Sequence, residues 1–415
     1  MRVTQRSLQL SYLINMQKTQ EKVGFYQKQI TTQSKINKPS DSPIGSARVM
    51  RLSNQVESLS VYSKNIDSGL PLIGRTISAM ETMQSEIEKL RSDFTLMNNP
   101  LENENLDIYA QNVDRAIAAL LDSANSEFDG QYLFGGTDFS QKPFGYNSTN
   151  TAVEVKASDI SGIHKIKISD TISQKINIQG NELFSAITQQ NGNLDSGSAV
   201  GSVQLGSTTV LDADGNEYTL NFNYTKTAAN DYTFDYSVVD SSSVTITNGS
   251  NQISFDPATG KLSTIDGANP SLIGITVPAN KLDLRIDLSN MTEAASATNL
   301  TYLQNQKADI FNTLISIKEQ LNNGIKPNSN QIAVVENFHS HLLNKMSEAG
   351  SIQNRLENTQ LMLQNSDIQT RELLSKEKDV DMAAALVSLQ NEQYNLELSY
   401  KISSMILPKS LLDYL

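Results

Sequence analysis

Leu52, Leu59, Ile66, Ile73, Met80, Ile87 and Phe94 recur every seven residues without a miss. Val49, Val56, Leu70 and Ile77 accompany them on a second seam position. A stripe this regular commits the segment to a long helix packed along a helical partner. Ser42-Pro43 supplies an N-cap and a first helical residue, and Asn98-Asn99-Pro100 closes the helix. Pro71 lies inside it and removes one backbone hydrogen bond, so a kink is expected there.

Both chain ends carry shorter seams. At the start, Met16, Val23 and Ile30 repeat every seven residues, with Tyr12, Thr19 and Tyr26 between them. Two heptads alone are too short to be stable in water, so a partner is required. The simplest partner is the other end, Val380 to Leu415. Val380, Ala384, Val387, Tyr394, Leu398 and Met405 form one stripe there. Met382, Leu386, Leu389, Leu396 and Tyr400 form a second on a neighbouring face. One partner helix cannot cover both. The expectation is that the first stripe meets the N-terminal helix and the second, with Leu386, Leu389 and Leu396, waits for other subunits.

Between the ends the period changes. A shorter helix is expected around Leu106, Val113 and Leu120. Asp129-Gly130 opens a turn, and Gln131-Tyr132-Leu133-Phe134 reads as a strand before Gly135-Gly136. Residues 191–202, NGNLDSGSAVGS, have the composition of a linker. Tyr218, Leu220, Phe222 and Tyr224 then alternate with polar residues, as do Tyr232, Phe234, Tyr236 and Val238. That is an antiparallel β pattern over about 203–288. Helical heptads are expected again from about 293, with Leu300, Leu303, Ile310, Leu314, Ile317 and Leu321 on one seam. Val335, Leu342, Ala349, Leu356 and Leu363 continue on another. The fold class is α+β: a long helical bundle made by the two halves of the chain, with an inserted antiparallel β domain. Three domains follow: 1–40 with 380–415, 41–190 with 291–379, and 203–288.

Composition narrows the function. The 415 residues carry a net charge of −12, against a nucleic-acid partner. The first forty residues oppose this at +6. Without cysteine there is no thiolate catalysis, zinc–thiolate site or disulfide. No apolar run reaches the ~20 residues that span a bilayer, and the first twenty residues lack a continuous apolar core and a small-residue cleavage site. The chain is then cytosolic or exported without such a signal. His339 and His341 point about 200° apart on a helix, the wrong spacing for a zinc pair; His339 falls on an apolar seam and His341 should be solvated. No HExxH, P-loop, GxGxxG or GxSxG motif occurs. Asp379 and Asp381 read as helix-start residues rather than a cation site. Catalytic, cofactor and metal sites are all expected to be absent.

The pattern of helical ends, β centre and Asn37-Lys38-Pro39-Ser40-Asp41-Ser42-Pro43 resembles the flagellin superfamily. Within it, Asp129-Gly130-Gln131-Tyr132-Leu133-Phe134-Gly135-Gly136-Thr137, Asp379-Val380-Asp381-Met382 and Ser410-Leu411-Leu412-Asp413-Tyr414-Leu415 resemble the hook–filament junction branch. Ser42 stands where that family commonly has Asp, and Lys378 where it commonly has an acid. Leu211 to Leu220, Phe255 to Lys261 and Leu282 to Leu288 resemble a hook-protein β domain, which keeps a hook-type subunit or a filament flagellin as the alternative. The resemblance implies a secreted structural subunit, exported unfolded through the flagellar type III apparatus with an export chaperone. It would form a homo-oligomeric ring between the first hook-associated protein and flagellin, without catalysis, nucleic acid or membrane insertion.

Overall fold

The computed structural model describes residues 5–97, 106–137, 141–157, 160–184, 187–268, 273–303 and 309–406. The first helices are α1 (Gln5–Thr32), α2 (Pro43–Met97) and α3 (Leu106–Ala124). Three short hairpins follow, β1 (Glu127–Phe128) with β2 (Gln131–Tyr132), β3 (Phe144–Tyr146) with β4 (Val153–Val155), and β5 (Lys165–Lys167) with β6 (Ser173–Lys175). After α4 (Gly180–Phe184) come β7 (Ile187–Asp195), β8 (Val203–Leu211), β9 (Glu217–Ala228), β10 (Asp231–Val239) and β11 (Thr245–Phe255). Then follow β12 (Leu262–Ile265), β13 (Ile273–Val277), β14 (Leu282–Ala294) and β15 (Asn299–Leu303). The chain ends in α5 (Ile310–Asn322), α6 (Ser329–Lys378) and α7 (Met382–Ile406). It divides into two compact units, Met1–Asn65 with Asn358–Leu415, and Ile66–Glu357.

In the second unit the heptad seam of α2 is the core. Ile66, Ile73, Met80, Ile87 and Phe94 are buried, as are Val335, Leu342, Ala349 and Leu356 on α6 of the same unit. Arg91 Nε donates to Glu336 Oε1 at 2.7 Å across the two helices. α2 continues through Pro71, which is exposed. α3 packs on α5. Phe134, Phe144, Phe184, Phe311 and Phe338 form an aromatic cluster with centroid spacings of 4.9–6.3 Å. The Gly135-Gly136 element is therefore a tight turn beside a packed core, with φ of +65° at Gly136. Of the expected strand there, Gln131–Tyr132 pairs with β1 and Leu133 N still donates to the Ser126 carbonyl, while Phe134 joins this cluster. His341 is not solvated: its Nε2 lies 2.8 Å from the Glu182 carbonyl.

The β region is a sandwich of two sheets, in the orders β12-β11-β10-β9-β8 and β13-β14-β7-β15. Their inward residues, including Tyr218, Leu220, Tyr224, Phe234, Leu284 and Ile286, share one buried cluster. All pairs are antiparallel except β14 with β7. The sandwich runs from Ile187 to Leu303, wider than 203–288. Two expectations are corrected by this. Residues 191–195 are not linker but the end of β7, between β14 and β15. Gly192 is needed there, at φ +146°, since a Cβ would stand 2.1 Å from the Asn299 carbonyl oxygen. Leu300 and Leu303 are not helical: they lie on β15, and helix resumes only at α5, N-capped by Asp309 onto Asn312 N. The spacing of three between the two leucines did not separate helix from strand.

Two polar clusters fix the sandwich. Lys226 Nζ on β9 reaches Glu293 Oε1 on β14 at 3.2 Å, and Tyr232 Oη donates to the same oxygen at 3.0 Å. Both charged side chains are under 5% exposed. At the β8–β9 turn, the Asp214 carboxylate accepts from Lys281 Nζ at 3.1 Å and from Ser316 Oγ on α5. Asn328, Asn330 and Gln331, at the start of α6, donate to the carbonyls of Asp214, Gly215 and Ala213. The turn is thus latched onto the α5–α6 corner.

Candidate assembly interface

The first unit is built where the chain ends meet. α1 packs along α7. Tyr12, Met16, Tyr26 and Ile30 are half-buried and Val23 is buried, so the N-terminal seam faces inward. Lys22 Nζ donates to Glu392 Oε1 at 2.9 Å, and Tyr12 Oη to the Ser399 carbonyl. These contacts set the rotation of α7. Its inner face carries Ala385, Leu389, Glu392, Leu396 and Ser399.

This departs from the expected assignment at Leu389 and Leu396, while Met382, Leu386 and Tyr400 of the same stripe are exposed as expected. Leu389 and Leu396 face α1, while Val387, Tyr394 and Leu398 are exposed, Tyr394 at 66%. The cause is that the inner face contains Ala385, Glu392 and Ser399, so the strongest apolar period on α7 is not the one that meets α1. Met405 lies where side chains are outside the described residues, as does the closing 407–415 segment.

Below this hairpin both chain strands break at the same level and are tied. Ser34 and Asp379 form an antiparallel bridge. Lys35 N donates to the Lys378 carbonyl at 2.7 Å, and Val380 N to the Gln33 carbonyl at 3.2 Å. Gln29 Nε2 holds the Lys35 carbonyl at 2.7 Å. The motif residues surround this tie. Asp41 Oδ2 accepts from the backbone N–H of Asn37 and Lys38, at 2.9 and 2.8 Å. Those two bonds hold its carboxyl below the usual carboxylate range. Pro39 and Pro43 are exposed, and Ser42 Oγ accepts from Gly45 N as the cap of α2. Asp379 accepts from Ser375 Oγ at 2.6 Å. Asp381 caps α7, accepting from Ala383 N and Ala384 N at 3.0 and 3.1 Å. Asp379 and Asp381 thus work on helix ends. The pairing of Ser34, Lys35 and Gln29 with the distant break was not visible in the sequence, because backbone-mediated ties leave no residue pattern.

On the far side of the tie, Arg48 pairs with Glu377 at 3.1 Å, and Gln360 Nε2 donates to Ser63 Oγ at 3.0 Å. Leu52, Val56 and Leu59 of the α2 seam are only half-buried here, unlike their continuation in the other unit. Ile44, Met50, Leu361, Met362 and Ile368 are more than half exposed.

The fold and these ends define a class: a chain whose two termini pair as one helical hairpin, tied at a shared break and rich in uncovered apolar side chains. Residues 3–138 match the bacterial flagellin N-terminal helical region, and residues 332–415 the bacterial flagellin C-terminal helical region. Together the two matches cover more than half of the chain, which belongs to the flagellin family. Residues 190–306 match the flagellar basal body protein FlaE D2 domain. Similar solved structures include the flagellar hook associated protein-3 of Legionella pneumophila, 16% identical, covering 79% of this chain and 98% of that one with a TM-score of 0.48. A putative flagellar hook-associated protein from Vibrio parahaemolyticus is 10% identical over 82% and 100%, with a TM-score of 0.45. The flagellar junction protein FlgL of Legionella pneumophila is 14% identical over 81% and 100%, with a TM-score of 0.42. No curated protein sequence matches the chain.

Proposed function

We propose that this chain is a structural subunit of the bacterial flagellum that joins hook to filament. The observation that carries the reading is the combination in one chain: flagellin-type helical regions at both ends, and a flagellar basal-body D2 domain between them. Such a chain can offer flagellin-like ends to a filament while carrying a domain of the rod-and-hook type. A filament flagellin needs only the first of these.

The mechanism is packing. Val387, Tyr394 and Leu398 on α7, with Leu10, Leu13 and Ile14 on α1, are exposed on a hairpin that is already paired. Exposed large apolar side chains recurring on both helices of one hairpin suit an interaction surface. Burying it between subunits at ~25 cal/mol per Å² favours assembly and offsets the ordering of side chains. The reading extends to a homo-oligomeric ring between the first hook-associated protein and flagellin. It also extends to export through the flagellar type III apparatus with a chaperone, and to an extracellular position. The residues proposed for assembly are now Val387, Tyr394 and Leu398 on α7. Tyr12, Met16, Val23, Tyr26, Ile30, Leu389 and Leu396 build the hairpin that presents them.

Deleting the gene and viewing cells by electron microscopy tests the reading. Hooks without filaments are expected, with flagellin recovered in the medium. Filaments of normal length on the deleted strain would overturn it.

A further inference from the structure

β8 is an edge strand without charge, proline or register shift along its nine paired residues. Natural sheets shield a free edge with charge, proline, a bulge or a cover. Residues 196–211 contain no charged residue and no proline. β8 pairs with β9 over nine residues, Val203↔Thr225 to Leu211↔Glu217, without a register shift. The other three ladders of this sheet each contain a shift. Lys226 N donates to the Ser202 carbonyl at 3.0 Å. Antiparallel alternation then turns the N–H and C=O groups of Val203, Leu205, Ser207 and Thr209 away from β9, to the open edge. Leu205 is 77% exposed, and Val200 and Val203 flank it on the surface.

The surroundings select the partner. Residues 191–300 hold twelve acids and four bases. A basic protein would be drawn to those acids rather than to this neutral edge, and two acidic domains repel wherever their charged faces meet. A neutral strand edge is matched by another neutral strand edge, and this chain carries more of them. β13, IGITV, is also a sheet edge, uncharged, and pairs with β14 without a shift. We propose that β8 is a strand-addition site for a second copy of this chain, so that the sheet of one sandwich continues into an edge strand of the next. Main-chain hydrogen bonds supply the affinity, and the absence of charge supplies the selectivity. A head-to-tail contact of this kind closes into a ring or propagates as a helix. The proposal draws on the subunit reading above only for the crowding of copies, and its test uses purified protein, so the two can fail separately.

The chain has no cysteine, so a single thiol can be placed at will. Leu205→Cys, labelled with a maleimide–benzophenone, is irradiated in concentrated full-length protein, with Thr219→Cys on the exposed face of the central strand β9 as control. The expected result is a covalent dimer from position 205, with the adduct mapping to an edge strand of the second copy, and several-fold less from position 219. Adding Ser207→Lys to the labelled Leu205→Cys chain should remove most of the dimer while the melting temperature is kept. Equal yields at the two positions, adducts only on the terminal helices, or no dimer would each overturn the proposal. A dimer that survives Ser207→Lys in a folded variant would do so as well.

Discussion

Leu389 and Val387 lie two residues apart on α7, one half-buried against α1 and the other 58% exposed. Their substitutions should separate hairpin stability from assembly. Leu389→Asp puts an unpaired carboxylate into the α1–α7 seam and should cost the hairpin ~1–3 kcal/mol, read as faster hydrogen exchange in α1. Val387→Asp should leave that exchange unchanged and abolish motility on complementation; normal motility would remove Val387 from the interface. The α2 seam was legible because Ile66, Ile73, Met80 and Ile87 meet an apolar partner without interruption. α7 was misread because its inner face carries Glu392 and Ser399, so polarity and burial do not coincide there. A cluster of charges makes a signed pH prediction. Lys345 bridges Glu182 and Glu348 at 2.6 and 2.7 Å. Burial raises both carboxyls, but the Lys345 hydrogen bond and charge outweigh it, so both titrate below their usual values. Depressed folded values mean stability that is present above the unfolded carboxylate pKa and is lost as pH falls through the folded one. Lys345→Met leaves those carboxylates underpaired at neutral pH. Its deficit against the parent chain, measured by thermal melting, should shrink as pH falls below 4.5; a constant deficit would show a packing effect instead.

Among the elements, the two sheets of the sandwich are joined by the buried Lys226–Glu293 pair. Glu293→Ala strands a buried ammonium and should cost ~3–5 kcal/mol, measured by denaturant unfolding followed through the sandwich tyrosines. Replacing both, Lys226→Met with Glu293→Leu, should recover most of that loss; equal losses for single and double variants would assign the effect to the space filled rather than the charge. The alternating run from Tyr218 to Tyr224 made β9 readable. β7 and β15 were not readable. β7 has the Asn–Gly composition of a linker and is a strand only because β14 and β15 bond to both its edges. The latch of Asp214 onto Ser316, Lys281 and the α5–α6 corner likewise joins residues some hundred positions apart, beyond any local pattern.

Over the whole molecule, helices of the two ends and a β centre were legible from the change of period, from seven to two and back. The division of contacts was not: it falls at Asn65 and Asn358, inside α2 and α6, where the helical pattern is continuous. The α2 seam residues Leu52, Val56 and Leu59 before that point are half-buried, and Ile66, Ile73, Met80 and Ile87 beyond it are buried. Limited proteolysis of the monomer should therefore digest the first unit well before Ile66–Glu357; simultaneous loss of both would refute separate stability. The tie between Lys35 and Lys378, and the Lys22–Glu392 pair above it, have one more consequence. Lys22 and Glu392 are 370 residues apart along the chain, so their meeting closes one of the longest loops the polypeptide can form, and loops of that length are the slowest to close. The paired ends can exist only after the last helix has been delivered. A polypeptide cut short anywhere before α7 has no hairpin to present. Completion of the chain is thereby proofread by topology: only a copy that includes α7 owns the hairpin surface proposed for assembly.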